Sequence, residues 1–256
     1  MNYNDAANAI AADAIFWSMA FDDPDYPVDQ LGRLALETGN KFRALGIFGL
    51  LATADKSHLI DNLRQSASLR IKYIEKVCAE NKQDDHHYVL GRVEPIFDLL
   101  ASKDFLSLAR LQQLSPVDFN SKREYLDDYC YGKILMTLGL NKGLNKGSIQ
   151  KQDEILDDLF NTLDDLDDFL SEDLFSRAAM CKALLENNVS DFNEAFHEFI
   201  DQSAFAIDEA KSTGFDTPSS IAERFISVEG LALLVVAHQQ GFNIKQNFQL
   251  CPQIAQ

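Results

Sequence analysis

Basic side chains are scarce in this sequence. Its 256 residues include 23 Lys and Arg against 40 Asp and Glu, which leaves a formal net charge of -17 at pH 7. Such a surface repels phosphate backbones and anionic lipid, so neither nucleic acid nor a membrane is expected as a direct ligand. The charge favours a basic partner and a fast encounter with it, and the alternative is that it serves solubility alone.

Long apolar runs are also missing. The two longest, residues 44–54 and 230–237, are shorter than the roughly 20 residues that a membrane-spanning helix needs. Residues 1–20 contain Asp5 and Asp13 and lack the basic start of a signal peptide. These features predict a bacterial-type protein of the cytoplasm.

Cysteines are few and far apart. Cys78, Cys130, Cys181 and Cys251 each lie in or beside an apolar segment, and no CxxC or Cys/His zinc spacing occurs. A secreted disulfide scaffold is not expected from such spacing in a chain of this length. We expect buried free thiols in a reducing compartment.

The motifs of common enzyme classes are absent from the sequence. It contains no GxSxG, P-loop, GxGxxG or HExxH, and no residue with the neighbours of an activated nucleophile. Glu194 and His197 have the Glu-x-x-His spacing of di-iron bundles, but a second copy is missing. His86 and His87 fall in a polar stretch, residues 81–88, that we expect to be an exposed loop. We therefore expect no catalysis, no metal and no other cofactor.

What the sequence does have is apolar residues at helical spacing along almost its whole length, without the alternation of strands. This pattern predicts an all-α fold of stacked antiparallel hairpins, arranged as a bundle or an irregular α-solenoid. We expect a single domain over residues 1–256, with a weak break at residues 141–149. The predicted helices cover residues 4–19, 28–54, 57–80, 93–100, 105–114, 121–140, 152–170, 172–186, 190–211 and 218–240.

Two local features of these helices carry further expectations. Gly32, Gly39 and Gly46 recur every seven residues in the second helix, which predicts a face that a neighbouring helix approaches closely. Ser57 is the expected cap of the third helix.

The acidic residues are concentrated in residues 151–173, where ten of them stand against one lysine and give a local charge of -9. Apolar residues recur at helical spacing, at Ile155, Leu159 and Leu163. The segment should therefore bury one apolar stripe and point its carboxylates outward. The alternative is a solvated helix face, but the charge density exceeds what solubility requires, because like charges along a helix cost stability. The hypothesis is that it binds a partner through Asp153, Glu154, Asp157, Asp158, Asp164, Asp165, Asp167 and Asp168.

The most distinctive stretch is residues 226–241, ISVEGLALLVVAHQQG, followed by Leu250, Cys251 and Pro252. It resembles the end of the immunity protein 49 family, and residues 43–53, rich in Ala, Leu and Gly, are similar as well. The resemblance implies an all-α antidote of a bacterial polymorphic toxin system. Such an antidote neutralises its cognate toxin, often a nuclease, by stoichiometric binding.

The same stretch has a structural interpretation. Glu229 falls among apolar residues and needs a partner if it is buried. Gly230 permits close packing, and Gly241 suits a left-handed helix stop.

Three functions follow from these features. The leading hypothesis is an immunity protein that occludes a basic toxin through its acidic surface. The alternatives are an α-solenoid adaptor for protein partners and, less favoured, a metal-dependent helical enzyme.

Overall fold

The computed structural model describes residues 3–141, 149–169, 175–212, 217–244 and 247–256. These residues form eleven α-helices and a 3-10 turn at Met19–Phe21, with an isolated bridge at Phe248 and Cys251 and no β-sheet. The all-α prediction is confirmed. None of the helices in these ranges combines the length and apolar composition needed to cross a membrane. The helices are α1 (Tyr3–Ser18), α2 (Val28–Thr53), α3 (Lys56–Ala79), α4 (Glu94–Ala101), α5 (Phe105–Leu114), α6 (Leu126–Leu140), α7 (Ile149–Phe169), α8 (Phe175–Leu185), α9 (Val189–Ser212), α10 (Pro218–Glu223) and α11 (Val228–Gln239).

Glycines let α2 and α3 approach each other closely. A Cβ atom on Gly46 would lie 3.2 Å from Cα of Leu59 in α3, and one on Gly39 would lie 3.0 Å from a side-chain oxygen of α3. The predicted packing role is confirmed for these two glycines. Gly32 faces a loop instead of a helix, because its Cβ would lie 2.5 Å from Cβ of His87.

The cap of α3 differs from the prediction. Ala54 ends α2 in a left-handed conformation with φ 57°. Asp55 then caps α3, since its carboxylate accepts a 2.9 Å hydrogen bond from the backbone N–H of Ser57. Asp caps a helix as well as Ser does, and Ser57 lies inside the first turn.

Two predicted helices are shorter than expected, and contacts distant in sequence explain both. Residues 121–124 form a turn before α6, where the carboxylate of Glu124 accepts hydrogen bonds from the backbone N–H groups of Gly91 and Asn120. The predicted helix over residues 218–240 is broken between α10 and α11. There the backbone N–H of Ser227 donates to the carbonyl of Leu250, and its hydroxyl caps α11.

The polar loop after α3 is anchored more firmly than we expected. The carboxylate of Asp85 accepts hydrogen bonds from the Tyr73 hydroxyl and from the backbone N–H of His87. Arg123 donates to the carbonyl oxygen of Gln83, 2.8 Å away. As a result His87 is only partly exposed, whereas His86 faces solvent as predicted.

The C-terminal helices close the bundle onto its first half. Consecutive helices from α1 to α9 pack on one another, α10 packs on α2, and α11 packs against α4 and α6. In an open solenoid each repeat contacts only its neighbours, so these contacts favour the bundle. A continuous core of buried side chains extends from Ile10 to Ala255. The single-domain interpretation stays a prediction, and residues 142–148 of the expected break lie outside the described residues.

The end of α11 follows the predicted glycine stop. Gly241 has φ 95°. Its backbone N–H donates to the carbonyl of His238, and that of Phe242 donates to the carbonyl of Ala237. This is the hydrogen-bond pair of a Schellman motif, and it turns the chain back towards the N-terminal end of α11.

The four cysteines are free thiols, and three of them are buried, as expected from the sequence. Burial raises the pKa of Cys130 to about 11 and the pKa of both Cys181 and Cys251 to about 12. These thiols therefore remain protonated at neutral pH and serve as small apolar side chains.

The packing of Cys251 on Gly230 gives a stability test. A Cβ on Gly230 would lie 2.5 Å from Sγ of Cys251, so Gly230→Ala should lower the free energy of unfolding by about 2 kcal/mol through overpacking. In a Cys251→Ala background the same change should become neutral or stabilising, because Ala favours helix over Gly by about 1 kcal/mol. Urea denaturation of the four proteins measures both effects, and an equal loss in the two backgrounds would contradict the packing.

Candidate functional site

The predicted partner-binding residues belong to α7, which is anchored by its apolar stripe. Leu159 and Leu163 are buried, and α7 packs on α6 and α8. The opposite side of the helix is left to solvent. The carboxylates that are described there are all exposed: Glu154, Asp157, Asp158, Asp164 and Asp165. The side chains of three further predicted residues, Asp153, Asp167 and Asp168, lie outside the described residues.

Little of this acidity is neutralised by neighbouring side chains. Asp158 pairs with Lys133 of α6, with Oδ1 and Nζ 3.0 Å apart. Among the described residues, no other ion pair involves the exposed carboxylates of α7. A helix face of this kind carries a negative potential that a basic surface would complement.

The structure brings together a second charged site, which sequence reasoning did not identify. It is a cavity of about 400 Å³ where seven helices meet, and we call it the central cleft. Side chains from α2, α4, α6, α8, α9, α10 and α11 meet there. Its charged lining residues are Arg43, Arg92, Glu94, Asp128, Arg177, Glu223 and Glu229.

One wall of the central cleft is built on a buried ion pair between α2 and α4. Nε of Arg43 donates to Oδ1 of Asp98 at 2.8 Å, and the Ser66 hydroxyl donates to Oδ2 at 2.6 Å. Nη2 of Arg43 also donates to the backbone carbonyl of Glu94. Burial opposes the charge of Arg43, but attraction to Asp98 outweighs it and raises the pKa of the guanidinium. Burial raises the pKa of the Asp98 carboxyl, and attraction to Arg43 opposes that shift. Since both carboxylate oxygens of Asp98 accept a hydrogen bond, the geometry is that of an ionised pair.

The facing wall holds the carboxylate whose partner the sequence left open. Arg177 of α8 binds Glu229 of α11 in a bidentate pair, with Nε–Oε1 and Nη2–Oε2 distances of 2.7 and 2.9 Å. The Tyr131 hydroxyl donates to the same carboxylate at 3.0 Å, and the Arg177 guanidinium lies over the Tyr131 ring. Burial works against the charge of Arg177, but Glu229 more than compensates and raises its pKa. The expectation that Glu229 needs a partner is confirmed.

The remaining carboxylates of the central cleft form no hydrogen-bonded ion pair with an arginine among the described residues. Asp128 of α6 is partly buried and forms no ion pair with a described residue. Glu223 lies at the opening, 51% exposed, and only loosely faces Nη1 of Arg43 at 3.9 Å. Oε2 of Glu94 is buried and accepts no hydrogen bond from the described residues. Arg43, Arg92 and Arg177 each attract at least one of these carboxylates, but Arg43 and Arg177 are already held in their own ion pairs.

The described residues hold no group of three or more His, Cys, Asp or Glu side chains placed to bind a metal. Glu194 and His197, which have the spacing of a di-iron motif, are exposed on α9. His87 packs against Gly32, and burial lowers the pKa of its imidazole.

A scan against protein-family models finds no match for the chain, and neither does a search of curated proteins or of solved structures. The resemblance to the immunity protein 49 family therefore stays a prediction that rests on its residues.

The pair between Arg177 and Glu229 is expected to matter for stability. Glu229→Gln should lower the free energy of unfolding by about 2 kcal/mol, because it leaves a largely buried guanidinium without its counter-ion. Glu37→Gln is the matched control, since it breaks the exposed pair with Arg33 on α2 and should cost less than about 0.5 kcal/mol. Chemical denaturation at pH 7 measures both, and similar values for the two variants would contradict this role.

Asp128 gives the central cleft a pH dependence. Burial, followed by repulsion from Asp127, raises the pKa of Asp128 to about 6 from an ordinary value of 3.8, although Arg92 and Arg177 oppose the shift. A raised carboxyl pKa stabilises the fold at low pH, and that contribution is lost as the pH rises from about 4 through 6. Asp128→Asn should therefore be more stable than the wild type at pH 7 by about 1 kcal/mol, after allowance for solvent screening.

The difference between Asp128→Asn and the wild type should disappear below about pH 4, where both side chains are neutral. Urea denaturation across this pH range measures it. Asp61→Asn, at an exposed position of α3, should change the free energy of unfolding by less than about 0.5 kcal/mol at either pH. A wild type that is more stable than Asp128→Asn at pH 7 would contradict the raised pKa.

Proposed function

We propose that this chain is an immunity protein, which binds a bacterial toxin in the cytoplasm and blocks it by stoichiometric occlusion. The surface we assign to the toxin is the acidic face of α7, defined by its described carboxylates Glu154, Asp157, Asp158, Asp164 and Asp165. Asp153, Asp167 and Asp168 are included in the proposal from the sequence alone. The observation that carries the assignment is that four of the five described carboxylates on this face are exposed and have no ion-pair partner among the described residues.

The chemistry of this face favours a particular kind of toxin. A nuclease presents basic residues to the phosphate backbone of its substrate, and a row of carboxylates would compete for those residues. Opposite charge also accelerates encounter, which suits an antidote that must reach its toxin before damage is done. The resemblance of residues 226–241 to the immunity protein 49 family supports the same function.

Expression of the adjacent reading frame tests the function itself. If that frame encodes a toxin, its expression should kill the host, and co-expression of this chain should restore growth. Purified toxin and this chain should then form a complex of fixed stoichiometry by size-exclusion chromatography. Growth that this chain does not restore would contradict the proposal.

A charge-neutralised variant tests the surface separately. Association with the toxin should slow by about tenfold at low salt in a variant that combines Asp157→Asn, Asp158→Asn, Asp164→Asn and Asp165→Asn. The salt dependence of association should also weaken, whereas dissociation should change less, because steering acts on the encounter. Stopped-flow or surface-plasmon measurements at several salt concentrations give both rates.

The control variant removes the same number of charges from other exposed positions: Asp61→Asn, Asp191→Asn, Glu194→Gln and Asp201→Asn. If the acidic face of α7 is the contact surface, this control should associate at close to the wild-type rate. Equal slowing in both variants would mean that net charge alone matters, and would remove the assignment to α7.

A further inference from the structure

The central cleft is large enough for a ligand and is preformed by the fold. Its volume of about 400 Å³ falls in the range of small-molecule sites, about 300 to 1,000 Å³. Two internal ion pairs, Arg43 with Asp98 and Arg177 with Glu229, fix its walls. Both arginines are held first by these partners, and Arg43 faces a further carboxylate, Glu223, only loosely, with Nη1 and Oε1 3.9 Å apart.

The charges that remain in the central cleft do not balance. Three carboxylates, Glu94, Asp128 and Glu223, line the cavity together with one arginine outside the ion pairs, Arg92. Arg92 forms no ion pair with a described residue. A carboxylate withdrawn from water is costly unless it is paired or hydrogen-bonded. Burial is the main cause that raises the pKa of Asp128, followed by repulsion from Asp127, so a cation beside this carboxylate would offset the cost of its charge.

A second observation points to a missing hydrogen-bond donor. Oε2 of Glu94 is buried and accepts no hydrogen bond from the described residues. Buried polar atoms in folded proteins nearly always have a partner from protein, water or ligand. The cavity wall thus contains both excess carboxylate charge and an acceptor that nothing in the described chain satisfies.

The other lining residues indicate which cation fits. Phe97 offers an aromatic surface, and Ile207, Val228 and Leu250 offer aliphatic ones. An arginine or lysine side chain has an apolar stem and a cationic head, which matches a wall of this composition. A guanidinium also has five donors in one plane and can serve several carboxylates at once. A metal ion fits less well, since the described residues contain no group of three ligating side chains.

We propose that the central cleft binds a guanidinium or ammonium group, held by Asp128, Glu223 and Glu94, with its aliphatic stem against Phe97 and Ile207. The cation comes either as a free organic cation or as a basic side chain of a bound protein. This site is separate from the acidic face of α7, so it stands whether or not that face binds a toxin.

Blocked amino acids provide the probe. N-acetyl-arginine amide carries a side-chain guanidinium, and N-acetyl-citrulline amide replaces it with a neutral urea of the same shape. Titration at low salt, followed by NMR chemical shifts or calorimetry, should show saturable binding of the arginine probe and at least about tenfold weaker binding of the citrulline probe. Agmatine, titrated in the same way, is the probe for a free organic cation. Binding of agmatine alone assigns the site to a free cation, whereas binding of the blocked arginine assigns it to a side chain.

Variants distinguish binding of the probe in the central cleft from nonspecific attraction of a cation to an acidic protein. Asp128→Asn and Glu223→Gln should each weaken binding about tenfold. Asp157→Asn combined with Asp158→Asn, on the acidic face of α7, should change it less than about twofold. Asp128→Asn is expected to fold at least as stably as the wild type, so its loss of binding would not reflect unfolding. Equal binding of citrulline and arginine, unchanged affinity in Asp128→Asn, or no saturable binding by any probe would each overturn the proposal.

Discussion

The burial of Glu229 is the constraint around which the C-terminal half of the fold is arranged. This carboxylate lies in the first turn of α11, whose other residues are almost all buried, and it enters the interior with the guanidinium of Arg177 as its counter-ion. The bidentate geometry fixes α8 against α11 in both distance and orientation. Since α11 also packs on α4 and α6, the position of one ion pair sets where several helices can lie.

The features that the sequence predicts well are those with a local cause. Apolar spacing identifies α2 and α5 almost to the residue, and it places the buried stripe of α7 correctly. Gly241 signals its helix stop through its own conformational freedom. In each of these cases the deciding interaction lies within one helical turn, where periodicity and residue type can report it.

The features that the sequence does not predict depend on distant partners. The break between α10 and α11 requires the hydrogen bond from Ser227 to Leu250, which lies beyond the helix. Arg177 and Glu229 are separated by 52 positions in the sequence, and Arg43 and Asp98 by 55. Glu229 could be identified as a carboxylate in need of a partner, but nothing local selects Arg177 from the other basic residues. The central cleft therefore emerges only when the helices are packed.

The interior arginines differ in whether they bring a carboxylate inside with them. Arg43, Arg70 and the largely buried Arg177 are removed from the surface of a chain that already has a net charge of -17. Arg70 forms no ion pair with a described residue and is held by the carbonyl of Val89 and the ring of Tyr73, and burial lowers its pKa to about 10. Arg43 and Arg177 are buried with Asp98 and Glu229 as ion pairs, so of these three arginines only Arg70 leaves the surface without an anion of its own.

Salt should act differently on the acidic face of α7 and on the central cleft, because the two sites differ in their exposure to solvent. The acidic face of α7 is open to solvent, where charges more than about 8 Å apart are screened at physiological ionic strength. The two ion pairs of the central cleft are largely buried, and a solvent ion cannot come between their members without displacing a hydrogen-bonded partner. Long-range attraction therefore belongs to α7, while the central cleft can recognise a cation only at contact distance. A chain that separates its charges in this way can attract a basic partner at a distance and still maintain a specific, salt-resistant interior.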